Sequence, residues 1–238
     1  MSMLIYSLDT PAALPIYYER DHIGILNTAA AMRITTEAKS ATRERILAAS
    51  AKLFAKNGWD GATTRDIAVA SGIATGTLFN YFQSKESVAA ALMAEAFTKA
   101  REEFETQRDE RQSLEEDLFS FVYAGLKKLR KFRKVLASAA ETIFSPLARS
   151  SRECAGDAIR VQHLEQVEQL LAAHRVPGPL PAVTMQLYWT LYLGVFAYWA
   201  ADDSPNQEDT LALLDHSLKL FVRSLEREGE RNHERETE

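Results

Sequence analysis

Residues 63–86 of this chain read TTRDIAVASGIATGTLFNYFQSKE, and this stretch decides the fold. Two short helical patterns flank Ser71-Gly72-Ile73, where glycine can take the backbone conformation that a tight turn between helices requires. Thr63 can cap the first helix, with Asp66 three residues later completing an approximate capping box. The small and apolar residues that would share a core are Ile67, Ala68, Ile73 and Leu78. The stretch therefore predicts a helix-turn-helix.

The second helix of such a pair has the dimensions to enter the major groove of DNA. Its expected exposed positions carry small or hydrogen-bonding groups that can contact base edges, with no bulky apolar side chain facing out. These positions are Thr75, Gly76, Thr77, Asn80 and Tyr81. An ordinary helical hairpin with a solvated polar face has the same turn, so the turn alone leaves both interpretations open.

The rest of the sequence also favours helices. Glycine and proline are scarce, at 10 and 7 of 238 residues, and apolar residues recur at intervals of three and four. Three prolines within 176–181 form a firm break. Further helices are predicted over 42–57, 114–132, 135–144, 159–174 and 181–201, and after the caps Ser84 and Ser204. The predicted fold class is all-α.

Net charge differs between segments. The whole chain carries −5, which on its own argues against a nucleic-acid partner. Residues 39–87, however, hold seven basic and four acidic residues, a net charge of +3, whereas residues 1–38 carry −2 and the remainder −6. A basic head on an acidic body is typical of a small nucleic-acid-binding module.

The run from Thr63 to Glu86 resembles the DNA-binding signature of the TetR (tetracycline-repressor) family. With the amphipathic helix before it, the resemblance covers about Thr42 to Phe97. It implies three helices in an N-terminal helix-turn-helix DNA-binding domain, followed by about six helices that bind an effector and dimerise. The expected boundaries are a poorly ordered extension over 1–38, the DNA-binding domain over 39–87, the effector-binding and dimerisation domain over 88–228, and a charged tail over 229–238. Met32 is an alternative natural start.

The resemblance implies phosphate contacts at two places. Thr63, Thr64 and Arg65 would meet a phosphate at a helix N-terminus, where free amides and the helix dipole attract anions. Tyr81 and Lys85 would hold the DNA backbone.

The resemblance also implies contacts within the groove. Thr75 and Thr77 would touch base edges or phosphates, and Gly76 would let the backbone approach. Asn80 stands where the family often has an aromatic residue or a histidine, so its partner is the most open. An asparagine can pair with adenine through two hydrogen bonds, which favours base contact there.

The last two predicted helices offer apolar surface to a second copy. Leucine and phenylalanine recur every three or four residues along the last helix, a seam that requires a packing partner. In similar repressors the last two helices of each subunit form a four-helix interface, with a monomeric core as the alternative here. The predicted interface residues are Leu187, Leu191, Gly194, Tyr198, Leu211, Leu214, Leu218, Phe221 and Leu225.

Between the head and these helices the family holds its inducer pocket. The candidate lining residues here are Phe97, Phe121, His163, Trp189 and Tyr192. His163 shares an apolar helix face with Ile159 and Val167. It either orients a polar group of a ligand or is a half-buried histidine whose hydrogen bonds are satisfied within the protein.

Six basic residues lie within 127–134. They form either a solvated face offset by acidic residues of 102–117 or an extra contact with DNA phosphates, which would steepen the salt dependence of binding. These residues are Lys127, Lys128, Arg130, Lys131, Arg133 and Lys134.

Several classes of protein are disfavoured. A single cysteine, Cys154, excludes an intrachain disulfide framework and indicates a reducing cytoplasm. The longest apolar stretch, 187–201, is shorter than the ~20 residues that span a bilayer. No nucleophile elbow, paired-histidine metal motif or phosphate-binding glycine loop occurs, so no enzyme activity, cofactor or metal is expected.

Together these features predict a homodimeric, cytoplasmic, ligand-responsive repressor. It would bind double-stranded, pseudo-palindromic operator DNA and be released by a small-molecule effector. The alternative is a DNA-binding protein of the same fold without an effector, acting as an activator or in chromosome organisation.

Overall fold

A computed structural model describes residues 22–109, 111–144 and 156–237 of the chain. All regular structure in these ranges is helical, so the predicted all-α class is confirmed. The helices are α1 His22–Asn57, α2 Thr64–Ala70, α3 Thr75–Phe79, α4 Lys85–Gln107, α5 Leu114–Leu129, α6 Arg133–Ile143, α7 Asp157–Ala173, α8 Ala182–Ala201 and α9 Glu208–Thr237. No described helix is long and apolar enough to cross a membrane.

The chain divides into two compact units between Thr42 and Arg43, a point inside α1. Helix α1 begins at His22, inside the predicted extension 1–38, and residues 1–21 lie outside the described part. Consecutive strong helix formers at 29–32 account for the extra turns. The predicted C-terminal tail is also helical as far as Thr237. The predicted boundary after residue 87 falls within α4.

Within the second unit, α4 packs along α5 and also against α6 and α7. Helix α5 packs in turn against α7 and α9, and α8 packs against α6 and α9. Aromatic side chains of α8 supply much of the core; those that are buried are Tyr188, Trp189, Tyr192, Phe196 and Trp199. These helices form the body that carries one of the two candidate sites.

A buried carboxylate connects three places in this body. Asp117, on the first turn of α5, is fully buried. Its Oδ2 accepts hydrogen bonds from Arg108 Nε at 2.9 Å and Nη2 at 2.7 Å, and lies 2.6 Å from His174 Nε2. Removing one partner of such a buried charge strongly destabilises the folded protein. The cluster therefore fixes the α4–α5 connection and the C-terminal end of α7 onto α5.

The predicted turn between α2 and α3 is present and depends on one glycine. Ser71 N–H donates to the Ile67 carbonyl at 2.9 Å, and Ile73 N–H donates to the Ala68 carbonyl at 3.0 Å. Between them Gly72 has φ +67°, the left-handed conformation that favours glycine. Arg45 Nε donates to the Ser71 carbonyl at 3.0 Å and so ties α1 to the turn.

We expect Gly72→Ala to destabilise the protein by about 1 kcal/mol, because an added Cβ disfavours the left-handed backbone. A new Cβ at this position meets no atom within 4 Å, so the cost is conformational and not steric. Urea unfolding measures the change. Gly76→Ala is the matched control: it lies inside α3 with equally open space and without a left-handed φ. Equal destabilisation by both changes would contradict this account of the turn.

Candidate functional site

In the head, α2 and α3 pack against each other. Thr63 caps α2 as predicted: its Oγ1 accepts from Asp66 N–H at 3.2 Å, and Asp66 Oδ2 accepts from Thr63 N–H at 3.0 Å. The hydrogen bonds from Thr63 lower the pKa of the Asp66 carboxyl. One face of α3 is anchored by Leu78, which is fully buried. The burial of Leu78 therefore fixes which face of α3 is turned away from the core.

The predicted DNA-contacting residues lie at the surface of this head or close to it. Thr63, Arg65, Gly76 and Asn80 are exposed, whereas Thr64, Thr75, Thr77 and Tyr81 are half-buried. Tyr81 also packs against the core, so its ring has a structural contact in addition to any contact with DNA.

Lys85 is partly engaged within the protein. Its Nζ donates to the Trp59 carbonyl at 2.8 Å and lies 4.2 Å from the centre of the Trp59 ring. This cation–π contact and hydrogen bond join the first turn of α4 to the loop after α1. An ammonium has three donors, so donors remain for a phosphate.

The sequence-based expectation that no bulky apolar residue faces outward from α3 is wrong. Phe79 is 48% exposed, and on α2 Val69 is 73% exposed. Phe79 is the exposed large apolar side chain of the second helix of the motif. Its position beside the buried Leu78 is the signal that could have revealed it, because adjacent helix residues face different directions.

A cavity lies between α4, α5, α7 and α8 in the body. Its water-accessible volume is about 40 Å³, and about 500 Å³ of empty space lies among its walls when the solvent at its open mouth is included. Its lining residues are Phe97, Thr98, Ala100, Arg101, Phe121, Val122, Gly125, Ile159, Gln162, His163, Gln166 and Tyr192.

His163 lies in a box of aromatic rings at this cavity. Its Nε2 is 2.9 Å from the Tyr188 hydroxyl, and ring centres of Phe121 and Tyr192 lie 4.9 Å and 4.1 Å from its own. Burial lowers the pKa of His163 from 6.5 to about 3, and burial also raises the pKa of Tyr192 and of Tyr188. The box is therefore uncharged at neutral pH.

Residues 46–92 match the family described as bacterial regulatory proteins, tetR family. Over 84 residues the chain is 39% identical to the HTH-type transcriptional repressor KstR2 of Rhodococcus jostii (strain RHA1), a stretch that spans 34% of this chain and 41% of that relative. Both matches fall on the helix-turn-helix head and its flanking helices, which are therefore similar to a tetR-family DNA-binding head. The resemblance stated from residues 63–86 is thereby confirmed, and both the family and this relative are regulators and not enzymes.

Solved tetR-family structures extend the likeness of fold to the body. A TetR transcriptional regulator from Rhodococcus sp. RHA1 has a TM-score of 0.63 at 16% identity, covering 77% of this chain and 97% of that one. Thermus thermophilus FadR, a TetR-family repressor solved in complex with lauroyl-CoA, has a TM-score of 0.57 at 23% identity, covering 76% and 93%.

Four of the five predicted pocket residues line the cavity of the body: Phe97, Phe121, His163 and Tyr192. Trp189 does not line it, because it stacks against Tyr192 with ring centres 5.2 Å apart. Sequence reasoning missed the smaller and polar lining residues of α4 and α7. The spacing of Ile159, Gln162, His163 and Gln166 as one helix face was the available signal.

The predicted interface residues differ in their burial within the single chain. Four seam residues of α9 are buried within their own chain, where α9 packs against α5 and α8; they are Leu214, Leu218, Phe221 and Leu225. The apolar face of α9 thus has packing partners, α5 and α8, within the same subunit. Of the others, Leu187, Gly194 and Tyr198 are exposed, and Leu191 and Leu211 are half-buried. Exposed Val183 and Leu220 extend this surface.

The basic cluster is partly neutralised by nearby carboxylates. Glu103 pairs with Lys127 at 3.2 Å and with Lys128, and these lysines lower its pKa. Arg133 Nη2 lies 3.2 Å from Asp203 Oδ1. Arg130 and Lys131 are exposed. Glu103 belongs to the acidic stretch that was expected to offset these charges. In the described part of the chain, no group of three or more His, Cys, Asp or Glu side chains could hold a metal ion.

We expect His163 to make stability fall as the pH drops below 6.5. Its pKa of about 3 in the folded protein is below the value of 6.5 in the unfolded chain, so only the unfolded chain gains a proton between these values. The loss at pH 5 relative to pH 7.5 is about 2 kcal/mol. Urea unfolding of wild type and His163→Gln at both pH values measures it.

In that experiment the His163→Gln protein should lose about 2 kcal/mol less than wild type between the two pH values. His216→Gln, at an exposed histidine of α9, is the control and should keep the wild-type difference. An unchanged pH dependence in the His163 variant would refute this role.

Proposed function

We propose that the protein is a homodimeric transcriptional regulator that binds operator DNA through α3 and releases it when a small molecule enters the body. The observation that carries the proposal is the outward face of α3 on a tetR-family head of net charge +3. This face combines hydrogen-bonding groups with one apolar ring. Such a regulator of chromosomal DNA would act in the cytoplasm.

Contacts with bases would come from α3 itself. Asn80 is exposed and can pair with adenine, and the hydroxyls of Thr75 and Thr77 can reach base edges or phosphates. Phe79 adds an apolar surface suited to the methyl group of thymine. The combination favours an operator with A·T pairs at the centre of each half-site.

Phosphate contacts would fix the orientation of α3. Arg65 is exposed beside the α2 N-terminus, and Lys85 keeps donors free after its contacts with Trp59. Such contacts supply affinity and its salt dependence without carrying sequence information.

Helix α4 would couple the two sites. Its first residue, Lys85, is bound to the head, and its residues Phe97, Ala100 and Arg101 line the cavity. At 1.5 Å per residue, Lys85 and Arg101 are about 24 Å apart along this helix. A ligand that favours a different position of α4 would move the head, and DNA and ligand would weaken each other's binding by the same factor.

The cavity favours this function over that of a regulator without an effector. A DNA-organising protein has no use for an opening into its body, whereas here the cavity has an aromatic wall and a few polar groups. The solved FadR that shares this fold binds lauroyl-CoA, which supports a ligand-responsive body in this chain as well.

We expect Arg65→Gln to weaken operator binding roughly fivefold at 0.15 M salt, because each head loses one phosphate contact. The slope of log K against log salt should fall by about two for a dimer with two heads. Fluorescence anisotropy on a duplex selected by the protein from a random library measures both. Arg111→Gln, at an exposed arginine of the body, is the control. Unchanged affinity and slope for Arg65→Gln would exclude this phosphate contact.

The exposed apolar surface of α8 and α9 supports dimerisation. Leu187 and Tyr198 are 43% and 45% exposed, and Leu220 on α9 is 48% exposed. Contiguous apolar surface of this kind marks an interaction site. The packing of α8 on α9 places these helices side by side.

We expect Leu187→Glu to convert the dimer into a folded monomer, because the added carboxylate would be buried without a partner in the interface. Sedimentation velocity at micromolar concentration gives the mass. Val161→Glu is the matched control, since Val161 on α7 is 53% exposed and lies outside this surface. A dimeric Leu187→Glu protein would rule out the proposed interface.

A further inference from the structure

The inner wall of the cavity is aromatic and contains one hydroxyl without a partner. Tyr192 is 5% exposed, and its hydroxyl makes no hydrogen bond within the described part of the chain. Buried polar atoms are almost always hydrogen-bonded, so an orphaned hydroxyl in a cavity wall indicates a missing partner. Its neighbour His163 does not serve, because His163 Nε2 is taken by Tyr188.

The surroundings of this hydroxyl are uncharged. The ring centres of Tyr192 and His163 lie 4.1 Å apart, and the imidazole of His163 is neutral. Among the lining residues the one ionised side chain is Arg101, and it is exposed. A ligand carboxylate at the inner end would lose its hydration and would find no cationic side chain there to pair with. A ligand ammonium group would likewise find no carboxylate side chain.

The shape of the wall limits the rest of the ligand. Phe97 lies against Gly125, where an added Cβ would come within 3.1 Å of the ring. Ala100, Val122 and Ile159 add apolar surface, and the polar part of the lining comes from Thr98, Arg101, Gln162 and Gln166. The apolar residues favour a ligand whose body is largely apolar.

We propose that the inner end of this cavity selects an apolar small molecule with an uncharged oxygen, such as a ketone, which accepts a hydrogen bond from the Tyr192 hydroxyl. The inference deepens the proposed function, because it names the chemical class of the effector. Selection comes from the unpaired donor: a ligand that lacks the oxygen leaves the hydroxyl buried and unsatisfied, and a charged head group is not compensated.

Three probes of equal chain length test the proposal: 2-decanone, decanoate and decyltrimethylammonium. Binding is measured by calorimetry on the full chain without DNA at pH 7.5. We expect the ketone to bind at least tenfold more tightly than either ion. Tyr192→Phe should weaken ketone binding by about three- to tenfold, the typical value of one neutral hydrogen bond, and leave decanoate unchanged. Tyr123→Phe removes an exposed hydroxyl of α5 and is the matched control.

Several outcomes would overturn the proposal. These are tighter binding of either ion, no binding of any probe, or ketone affinity unchanged by Tyr192→Phe. A lower melting temperature of the ligand-free Tyr192→Phe protein would also overturn it, since the hydroxyl would then already have a partner within the fold. If the hydroxyl has no partner, the melting temperature of the ligand-free Tyr192→Phe protein should equal or exceed that of the wild type.

Release of DNA is measured separately, so the two proposals can fail independently. If the ketone binds through Tyr192 but the operator complex persists at saturation, the effector role fails and the ligand class stands. If another compound releases the operator equally well from wild type and Tyr192→Phe while the ketone does not bind, the ligand class fails and the regulatory function stands.

Discussion

The structure depends on the packing of α4 along α5, because α4 belongs to both candidate sites. At its N-terminus the Ser84 capping box and the Lys85–Trp59 contact hold it to the head. A little over three turns further on, Phe97 packs over Gly125 of α5, where no side chain larger than hydrogen fits without displacing the ring. Phe97 also lines the cavity, so this contact joins the cavity wall to the helix that begins at the head.

Burial of the aromatic side chains of α8 organises the rest of the body. Tyr188 contacts His163 on one side and the ring of Phe221 on the other, with ring centres 5.2 Å apart in the second case. The residue thus joins the cavity wall to α9. The Arg108–Asp117–His174 cluster acts at the N-terminal end of α5, where it holds the C-terminal end of α7 in place.

The sequence predicted most helices and the head correctly because their signals are local. The Thr63–Asp66 capping box and the Gly72 turn are decided by neighbouring residues, and both are present. The start of α1 was missed because residues 22–41 favour a helix by composition and lack an apolar face. The burial of Leu218 and Phe221 within one subunit was missed since a helical seam has the same spacing whichever helix covers it. The exposure of Phe79 and the orphaned Tyr192 hydroxyl depend on contacts distant in sequence, which spacing does not contain.

The uncharged box around His163 gives the molecule two sites that respond to different properties of the solution. The head is basic and its binding to a polyanion would release counterions, so ionic strength acts on it strongly. The cavity has no ionised group at its inner end, and a neutral guest entering it would displace water but no ions. Changes in salt would then alter occupancy of the operator while leaving occupancy of the body untouched. The concentration of effector needed to clear an operator would therefore fall as salt rises, with no change in the affinity of the effector itself.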